Sequence, residues 1–418
     1  MRPTPSDLQD AFQDAWPRIV RALASFTGSL DDAEEYAAEA VARAAAHDGD
    51  LAELAAWCIT VGKRAWLDDA RRRAVGDRLA PQLALSETGP DREPDIDMDA
   101  TEELDDRLVL LFVACDDELA PGLQMVLALR VVCGLTVPQI AHHLGIRDTA
   151  AAARLTRAKK SLAAARGGFR TPDRVERAAR LPVVLACVAG MFTVAHRTVL
   201  DPVDALADTG RAALSIADAL VAAYPDDTEV RGLRAVIRLG LARRPGRLDA
   251  DGVALALDEV DRTRWDRELL AAGLDDATYA MGGGGRFALE AAVAGLHTSA
   301  PSVAATEWPR LVVFYRELER TWPSPAVTVA RLVAEAHAAP AADLPDVEKA
   351  LEHVVETGPA YASRDAALAL ADVEWRTGRR YAAAGRYAAL AGLLDAEPLR
   401  RFCQRRADVG GGSRGHRG

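Results

Sequence analysis

Residues 135–162 read LTVPQIAHHLGIRDTAAAARLTRAKKSL and predict two short helices joined by a tight turn. Ile140 supplies an apolar contact between the two helices, and Gly145 stands where the turn needs a residue that tolerates a positive φ. Asp148 or Thr149 is suited to cap the second helix. The first turns of that helix would then enter a DNA major groove, so the pattern indicates a helix-turn-helix.

The second predicted helix carries a local excess of positive charge. Between residues 147 and 170, seven basic residues accompany one acidic residue, although the whole chain has a net charge of −11. Affinity for phosphate depends on such local patches rather than on the overall charge, so we expect this helix to bind DNA. The residues predicted to reach bases or phosphates are Arg147, Thr149, Arg154, Arg157, Lys159 and Lys160.

The composition predicts an all-α protein of several domains. Of the 418 residues, 50% are hydrophobic and only 5% are aromatic, a balance that favours helices over β-sandwiches. The five cysteines form no C-x-x-C pair, so neither a disulfide framework nor a zinc site is indicated. The longest uncharged run, residues 181–195, is too short to cross a bilayer. We expect a cytoplasmic protein without membrane contact, metal or cofactor.

Helical periodicity and its interruptions divide the chain into segments. Three helices are predicted within residues 1–80, and residues 81–105 form a flexible acidic linker. A four-helix unit that contains the helix-turn-helix follows at residues 106–168. Residues 169–407 alternate helices with Pro, Gly and Asp breaks, which is typical of stacked helical hairpins, and residues 408–418 are predicted to be disordered.

A family resemblance begins in the helix-turn-helix, where residues 145–159 resemble the end of region four in extracytoplasmic-function sigma factors. Residues 105–141 are similar to the first half of region four in one subgroup, which also carries a tetratricopeptide-like C-terminal extension. That extension is matched by ARRPGRLDADG at 242–252 and LDEVDRTRWDREL at 257–269. The resemblance implies a factor that is not an enzyme and that lends promoter recognition to core RNA polymerase, with its activity controlled from within the chain.

The resemblance also assigns a polymerase-binding helix near the start of the chain. Residues 32–44, DAEEYAAEAVARA, are similar to the region-two helix that binds the clamp of the β′ subunit. Taken alone, such an acidic run is typical of a solvated helix face. Contacts with the β′ clamp and β subunits of core polymerase are what the resemblance implies. The implied polymerase-binding residues are Asp32, Glu34, Glu35, Glu39 and Arg43.

Residues 55–73, AAWCITVGKRAWLDDARRR, resemble the region-two helix that opens the minus-ten element. A duplex stays open only if basic residues and a pocket or stacking surface hold the exposed strand. Trp57 is at helical spacing and is interpreted as a core residue rather than a stacking platform. The residues predicted to hold phosphates are Lys63, Arg64, Arg71, Arg72 and Arg73.

Two departures from the family pattern leave other interpretations open. Ala38 replaces a glutamine that is usual in the polymerase-binding helix, and alanines at 150–153 replace polar residues at the groove-facing turn. Alanine cannot hydrogen-bond a base edge, so minus-thirty-five recognition would rest on phosphates, DNA shape and a few polar side chains. One alternative is a sigma-like DNA-binding regulator or scaffold that has lost productive polymerase engagement. Another is a helical-repeat interaction protein without any DNA role, in which the basic helix is only a solvated face. The hairpins would hold a protein partner or a domain of the same chain.

Features that could indicate catalysis or metal binding are weak. The glycine run at 282–285 lacks the G-K-[ST] ending of a phosphate-binding loop, and the neighbouring His142 and His143 point apart on a helix. An acidic set has no EF-hand spacing and is predicted to cap helices and to pair with Arg262, Arg264 and Arg267. The members of that set are Asp249, Asp251, Asp258, Asp261 and Asp266.

Overall fold

A computed structural model of the chain describes residues 5–46, 53–77, 104–198, 209–340 and 342–411. These residues form helices and no β-strand, which confirms the predicted all-α class. The helices form two compact units. The first contains the described residues up to 194 together with 209–212, and the second contains 195–198 and the residues described from 213 onward.

The first unit brings the three N-terminal helices and the predicted four-helix unit together. Ser29 begins the second helix because its hydroxyl accepts a hydrogen bond from the Asp32 N–H at 3.2 Å. The predicted linker at 81–105 lies outside the described residues except for Leu104 and Asp105. The helices of this part are α1 (Pro5–Thr27), α2 (Leu30–Ala45), α3 (Leu54–Asp77), α4 (Asp106–Ala114), α5 (Pro121–Val131), α6 (Val137–Leu144) and α7 (Asp148–Arg166).

Helices α6 and α7 form the predicted helix-turn-helix. Thr136 and Gln139 cap α6 reciprocally, and Gly145 ends it with φ 62° and ψ 37°, the left-handed conformation that favours glycine. The predicted cap of α7 is wrong, because Arg147 occupies the capping position and makes no side-chain cap bond. Asp148 instead begins the helix, where its negative charge interacts favourably with the helix dipole.

A buried carboxylate joins the end of α7 to the next helix, α8 (Arg174–Thr198). Asp116 is 2% exposed and accepts hydrogen bonds from Arg166 at 2.9 and 3.0 Å, and Arg180 Nη2 lies 2.7 Å away. Burial alone would raise the pKa of Asp116, but hydrogen bonds from Arg166 and the Glu118 N–H, together with the charge of Arg180, lower it below its usual range. Asp116 itself follows the end of α4, which stops at Ala114.

Residues 181–195 lie in α8, and those with described side chains are mostly buried. This agrees with their interpretation as an apolar core segment. Among the residues that the structure describes, no helix is long and apolar enough to cross a membrane.

The second unit consists of helices that pack mainly against their neighbours along the chain, as predicted for helical hairpins. Tyr387, for example, is 2% exposed and packs edge-on against Trp375 and Phe402. The last helix continues to Gly411, into the tail predicted to be disordered, and the rest of that tail lies outside the described residues. The remaining helices are α9 (Thr209–Ala223), α10 (Thr228–Ala242), α11 (Arg267–Ala280), α12 (Arg286–Ser299), α13 (Trp308–Thr321), α14 (Pro325–Ala338), α15 (Leu344–Thr357), α16 (Ala360–Arg376), α17 (Arg380–Ala391) and α18 (Glu397–Gly411).

A long connection between α10 and α11 contacts α18 from far along the chain. The Ala254 N–H donates to the Pro398 carbonyl at 3.1 Å, and Arg405 lies 3.3 Å from Asp249. Asp266 caps α11, as predicted for the acidic set. The predicted pairing of these acids with Arg262 and Arg264 is wrong, because both guanidinium groups donate to backbone carbonyls.

The substitution Asp116→Asn is expected to lower the free energy of unfolding of the first unit by about 3 kcal/mol, because Arg180 would remain buried without its carboxylate. Asp117→Asn is the matched control, since the Asp117 carboxylate is 64% exposed and 3.9 Å from Arg180; we expect a change within about 0.5 kcal/mol. Urea unfolding at pH 7 measures both.

The same pair of variants gives a pH test. Because folding lowers the pKa of Asp116, its contribution is complete above the ordinary carboxyl pKa and is lost as the pH falls through the lowered value. The difference between wild type and Asp116→Asn should therefore shrink in acid. Equal losses from both substitutions at pH 7 would contradict the buried network.

Candidate nucleic-acid and polymerase interface

Helix α7 presents most of its predicted DNA-binding residues to solvent. Arg147, Thr149, Arg157 and Lys160 are exposed, and Arg154 is half-buried. These side chains are therefore free of the core and in a position to meet phosphates or base edges. Lys159 differs, because its ammonium group is engaged within the protein.

The alanines at 150–153 do not share one environment. Ala151 is 1% exposed and belongs to the core between helices, whereas Ala153 is exposed. Ala150 and Ala152 are half-buried. The alanine at 151 therefore satisfies packing rather than replacing a groove-facing polar residue. Which of the four alanines faces the core depends on how α7 is rotated about its axis. A run of identical residues gives no periodicity from which that rotation could be predicted.

The basic residues of α3 are mostly exposed, in different directions around the helix. Arg64, Arg71, Arg72 and Arg73 are exposed, while Lys63 is half-buried with its ammonium 5.1 Å from the centre of the Phe26 ring. Arg71 lies 3.4 Å from Asp68, and Arg72 contacts Asp69. Ion pairs this exposed contribute little to stability, so these arginines can exchange an aspartate for a phosphate at small cost.

Three of the five predicted polymerase-binding residues lie on the outer face of α2. Glu35, Glu39 and Arg43 are exposed, and the last two pair within the helix at 2.5 Å. Asp32 is half-buried because it accepts a hydrogen bond from the Trp66 indole at 3.2 Å. This contact links the start of α2 to α3 and gives Trp66 a structural role.

Glu34, the remaining predicted polymerase-binding residue, is directed into the first unit. It is 6% exposed and pairs with Arg130 of α5 through a hydrogen bond from the guanidinium Nε. Lys159 Nζ lies 2.8 Å from the other carboxylate oxygen of Glu34, as an ion pair without hydrogen-bond alignment. The same ammonium is 2.7 Å from the largely exposed Asp31. One carboxylate thus joins α2 to both α5 and α7.

Arg130 is held in place by several further contacts. Its Nη1 donates to the Leu135 carbonyl at 3.0 Å, and its own carbonyl accepts a hydrogen bond from the Trp16 indole at 3.2 Å. The guanidinium also lies 5.7 Å from the Trp16 ring centre. Sequence reasoning missed Arg130, because a single arginine in an apolar helix carries no signal of a partner about a hundred residues away.

The arrangement brings an acidic helix against a basic one. Asp31 and Glu34 on α2 neutralise Lys159 on α7, so part of the predicted polymerase surface and part of the predicted DNA surface cover one another. Among the described residues, no group of three or more His, Cys, Asp and Glu side chains could hold a metal ion.

These features define a helix-turn-helix protein, and comparison with known families specifies its class. Residues 111–162 match sigma-70, region 4, and residues 180–281 match a family of unknown function, DUF6596. An uncharacterized protein of Rhizobium meliloti strain 1021 is 35% identical over 331 residues, 78% of each chain. No solved structure matches. The chain belongs to the same family as that relative, and its region 4 match is consistent with a sigma factor of the extracytoplasmic-function type that carries a C-terminal extension.

Membership of this family gives the broad function. Sigma-70 region 4 takes part in transcription initiation, which implies contact with promoter DNA and RNA polymerase. The family also points to a transcription factor rather than an enzyme. The individual roles predicted for the residues of α2, α3 and α7 stay predictions.

The substitution Glu34→Gln is expected to lower the free energy of unfolding by about 2–3 kcal/mol, because the half-buried Arg130 loses its carboxylate partner and Lys159 keeps only the exposed Asp31. Glu35→Gln, at the exposed neighbouring position, should change it by less than about 0.5 kcal/mol. Urea unfolding followed by tryptophan fluorescence compares the two variants. Similar midpoints for both would mean that the Glu34 network does not hold the two helices together.

Proposed function

We propose that this protein is a sigma factor that binds core RNA polymerase and directs it to specific promoters. The exposed residues Glu35, Glu39 and Arg43 dock on the β′ clamp. Asp32 and Glu34 complete that surface once their contacts with Trp66, Arg130 and Lys159 are released. The protein works in the cytoplasm, where the polymerase is. Its C-terminal helical unit adjusts this activity.

The observation that carries the proposal is the region 4 match over a helix-turn-helix whose recognition helix presents basic side chains to solvent. Arg147 and Thr149 lie at the start of α7, where a recognition helix meets base edges in the major groove. Arg154 and Arg157 lie further along the same helix, where basic side chains can reach phosphates. This order supports binding of the minus-thirty-five element by α7.

The exposed basic residues of α3 support a second DNA contact, at the minus-ten element. Arg64, Arg71, Arg72 and Arg73 are exposed along one helix, and Lys63 lies beside them. Basic side chains along a helix track the backbone of a separated strand without regard to its sequence. We assign these residues to holding phosphates, with no base-specific role.

The ion pairs of Lys159 indicate that the described arrangement is a closed form of the factor. A phosphate cannot reach the Lys159 ammonium while Asp31 and Glu34 occupy it. Separation of α2 from α7 exposes one acidic and one basic surface together, and polymerase and DNA stabilise the open form by binding them. Closure therefore competes with promoter binding.

A sigma-like regulator or scaffold without polymerase engagement is the second candidate. The burial of Glu34 and the replacement of a usual glutamine by Ala38 favour it, because both reduce the docking surface that α2 offers. Association with core polymerase distinguishes the two functions, since the scaffold binds DNA alone.

The double substitution Arg154→Ala and Arg157→Ala tests DNA binding by α7. The slope of log affinity against log salt for a promoter fragment should become shallower by about 2, because two phosphate neutralisations are lost. Arg310→Ala with Arg320→Ala removes the same charge from exposed positions on α13 and should leave the slope unchanged. Equal slopes for the α7 variant and wild type would reject this helix as the DNA-binding element.

The substitution Asp31→Asn tests closure without altering a predicted binding residue. It weakens the hold on Lys159, so affinity for promoter DNA should rise by about 2- to 5-fold, the value of a partly exposed ion pair. Asp14→Asn, an exposed acid on α1, is the control for the change in net charge. Titration of labelled DNA at fixed salt measures both, and identical affinities for the two variants would contradict competition between closure and DNA.

A further inference from the structure

The second unit contains a cavity of about 310 Å³ beside the connection between α10 and α11. Three arginines, Trp265 and His297 line it, together with aliphatic side chains from the same connection and from Leu399 of α18. None of the residues that line the cavity is acidic. A small cavity that is partly open to solvent thus combines several positive charges with apolar walls.

Two of these arginines have no carboxylate partner among the described residues. Arg262 donates through Nη1 to the carbonyls of His297, at 3.0 Å, and of Ala300, which solvates the guanidinium but leaves its charge unbalanced. The Nε atom of Arg243 is buried and has no hydrogen-bond partner. Charges withdrawn from water are normally paired, so this arrangement lacks an anion that would balance it.

The electrostatics of the neighbouring groups agree with an uncompensated positive site. Burial and the charges of Arg243 and Arg244 lower the pKa of Arg247 to about 10. Burial and the charges of Arg243 and Arg262 lower the pKa of His297 to about 4, so this imidazole is neutral at pH 7. The Trp265 indole adds a buried N–H donor without a partner.

We propose that this cavity binds a small organic anion that has one acidic group and an apolar body. The planar forks of Arg243 and Arg262 suit a carboxylate or a phosphate, and Leu255, Leu257 and Leu399 would contact the apolar part. A volume of about 310 Å³ lies at the small end of ligand pockets and suits a small molecule.

The proposal concerns binding by the second unit and does not depend on the function proposed for the first. It is tested on the purified full chain, without polymerase or DNA. Two probes, hexanoate and hexyl phosphate, share the same alkyl chain and differ in the acidic group. Inorganic phosphate lacks the alkyl chain, and hexylammonium carries the opposite charge.

For the wild type, we expect saturating hexanoate or hexyl phosphate to raise the melting temperature by about 5 °C, with little effect of inorganic phosphate and none of hexylammonium. The probe that gives the larger increase in melting temperature shows whether the cavity prefers a carboxylate or a phosphate. Arg243→Met should weaken binding of that probe at least about tenfold by calorimetry, because the cavity loses one guanidinium. Arg310→Met, at an exposed position on α13, is the control and should bind as wild type does.

Melting without any probe separates a ligand site from a structural one. Removal of an unpaired, partly buried charge should leave the melting temperature of Arg243→Met equal to that of wild type or raise it, whereas an arginine needed for the fold would lower it. The proposal is overturned if neither hexanoate nor hexyl phosphate binds the wild type, if Arg243→Met binds them unchanged, or if hexylammonium stabilises the chain equally.

Discussion

The carboxylate of Glu34 has to be paired because it is buried, and its two partners come from different parts of the first unit. Arg130 reaches it from α5 while holding the Leu135 carbonyl, just ahead of the helix-turn-helix. Lys159 reaches it from the recognition helix itself. A buried ion pair that loses one member is far less stable than the intact pair, so the positions of α2, α5 and α7 depend on one another. The packing of these three helices in the first unit therefore depends on the pairing of Glu34.

The pairing of Glu34 affects both the stability of the first unit and the proposed function. Acidic side chains on α2 suit a basic surface on polymerase, and basic side chains on α7 suit DNA, so the two helices are complementary to each other as well as to their targets. Under the proposed function, association with those targets would replace an internal ion pair by external ones of the same chemistry. The net change in charge pairing is small, which allows modest binding energies to shift the balance between closed and open forms.

Local signals in the sequence were sufficient for the helix-turn-helix, because a capping box at Thr136 and a glycine at 145 act over a few residues. They were insufficient wherever a partner is distant in the chain. Nothing near Glu34 indicates that Arg130 binds it, and nothing near Asp116 indicates that it holds Arg166 and Arg180. Because such partners cannot be recognised in the sequence, charged side chains are predicted to lie at the surface. In the structure, several of them instead form ion pairs between helices. The pairing of arginines in the α10–α11 connection was mispredicted for the same reason.

Productive engagement with polymerase is the central claim, and run-off transcription measures it most directly. Purified core enzyme and genomic fragments are incubated with and without the full chain, and the 5′ ends of the transcripts are mapped. From a sigma factor we expect discrete start sites that core enzyme alone does not use, preceded by a shared pair of sequence elements. If the chain neither associates with core enzyme nor produces such start sites, it is not a sigma factor.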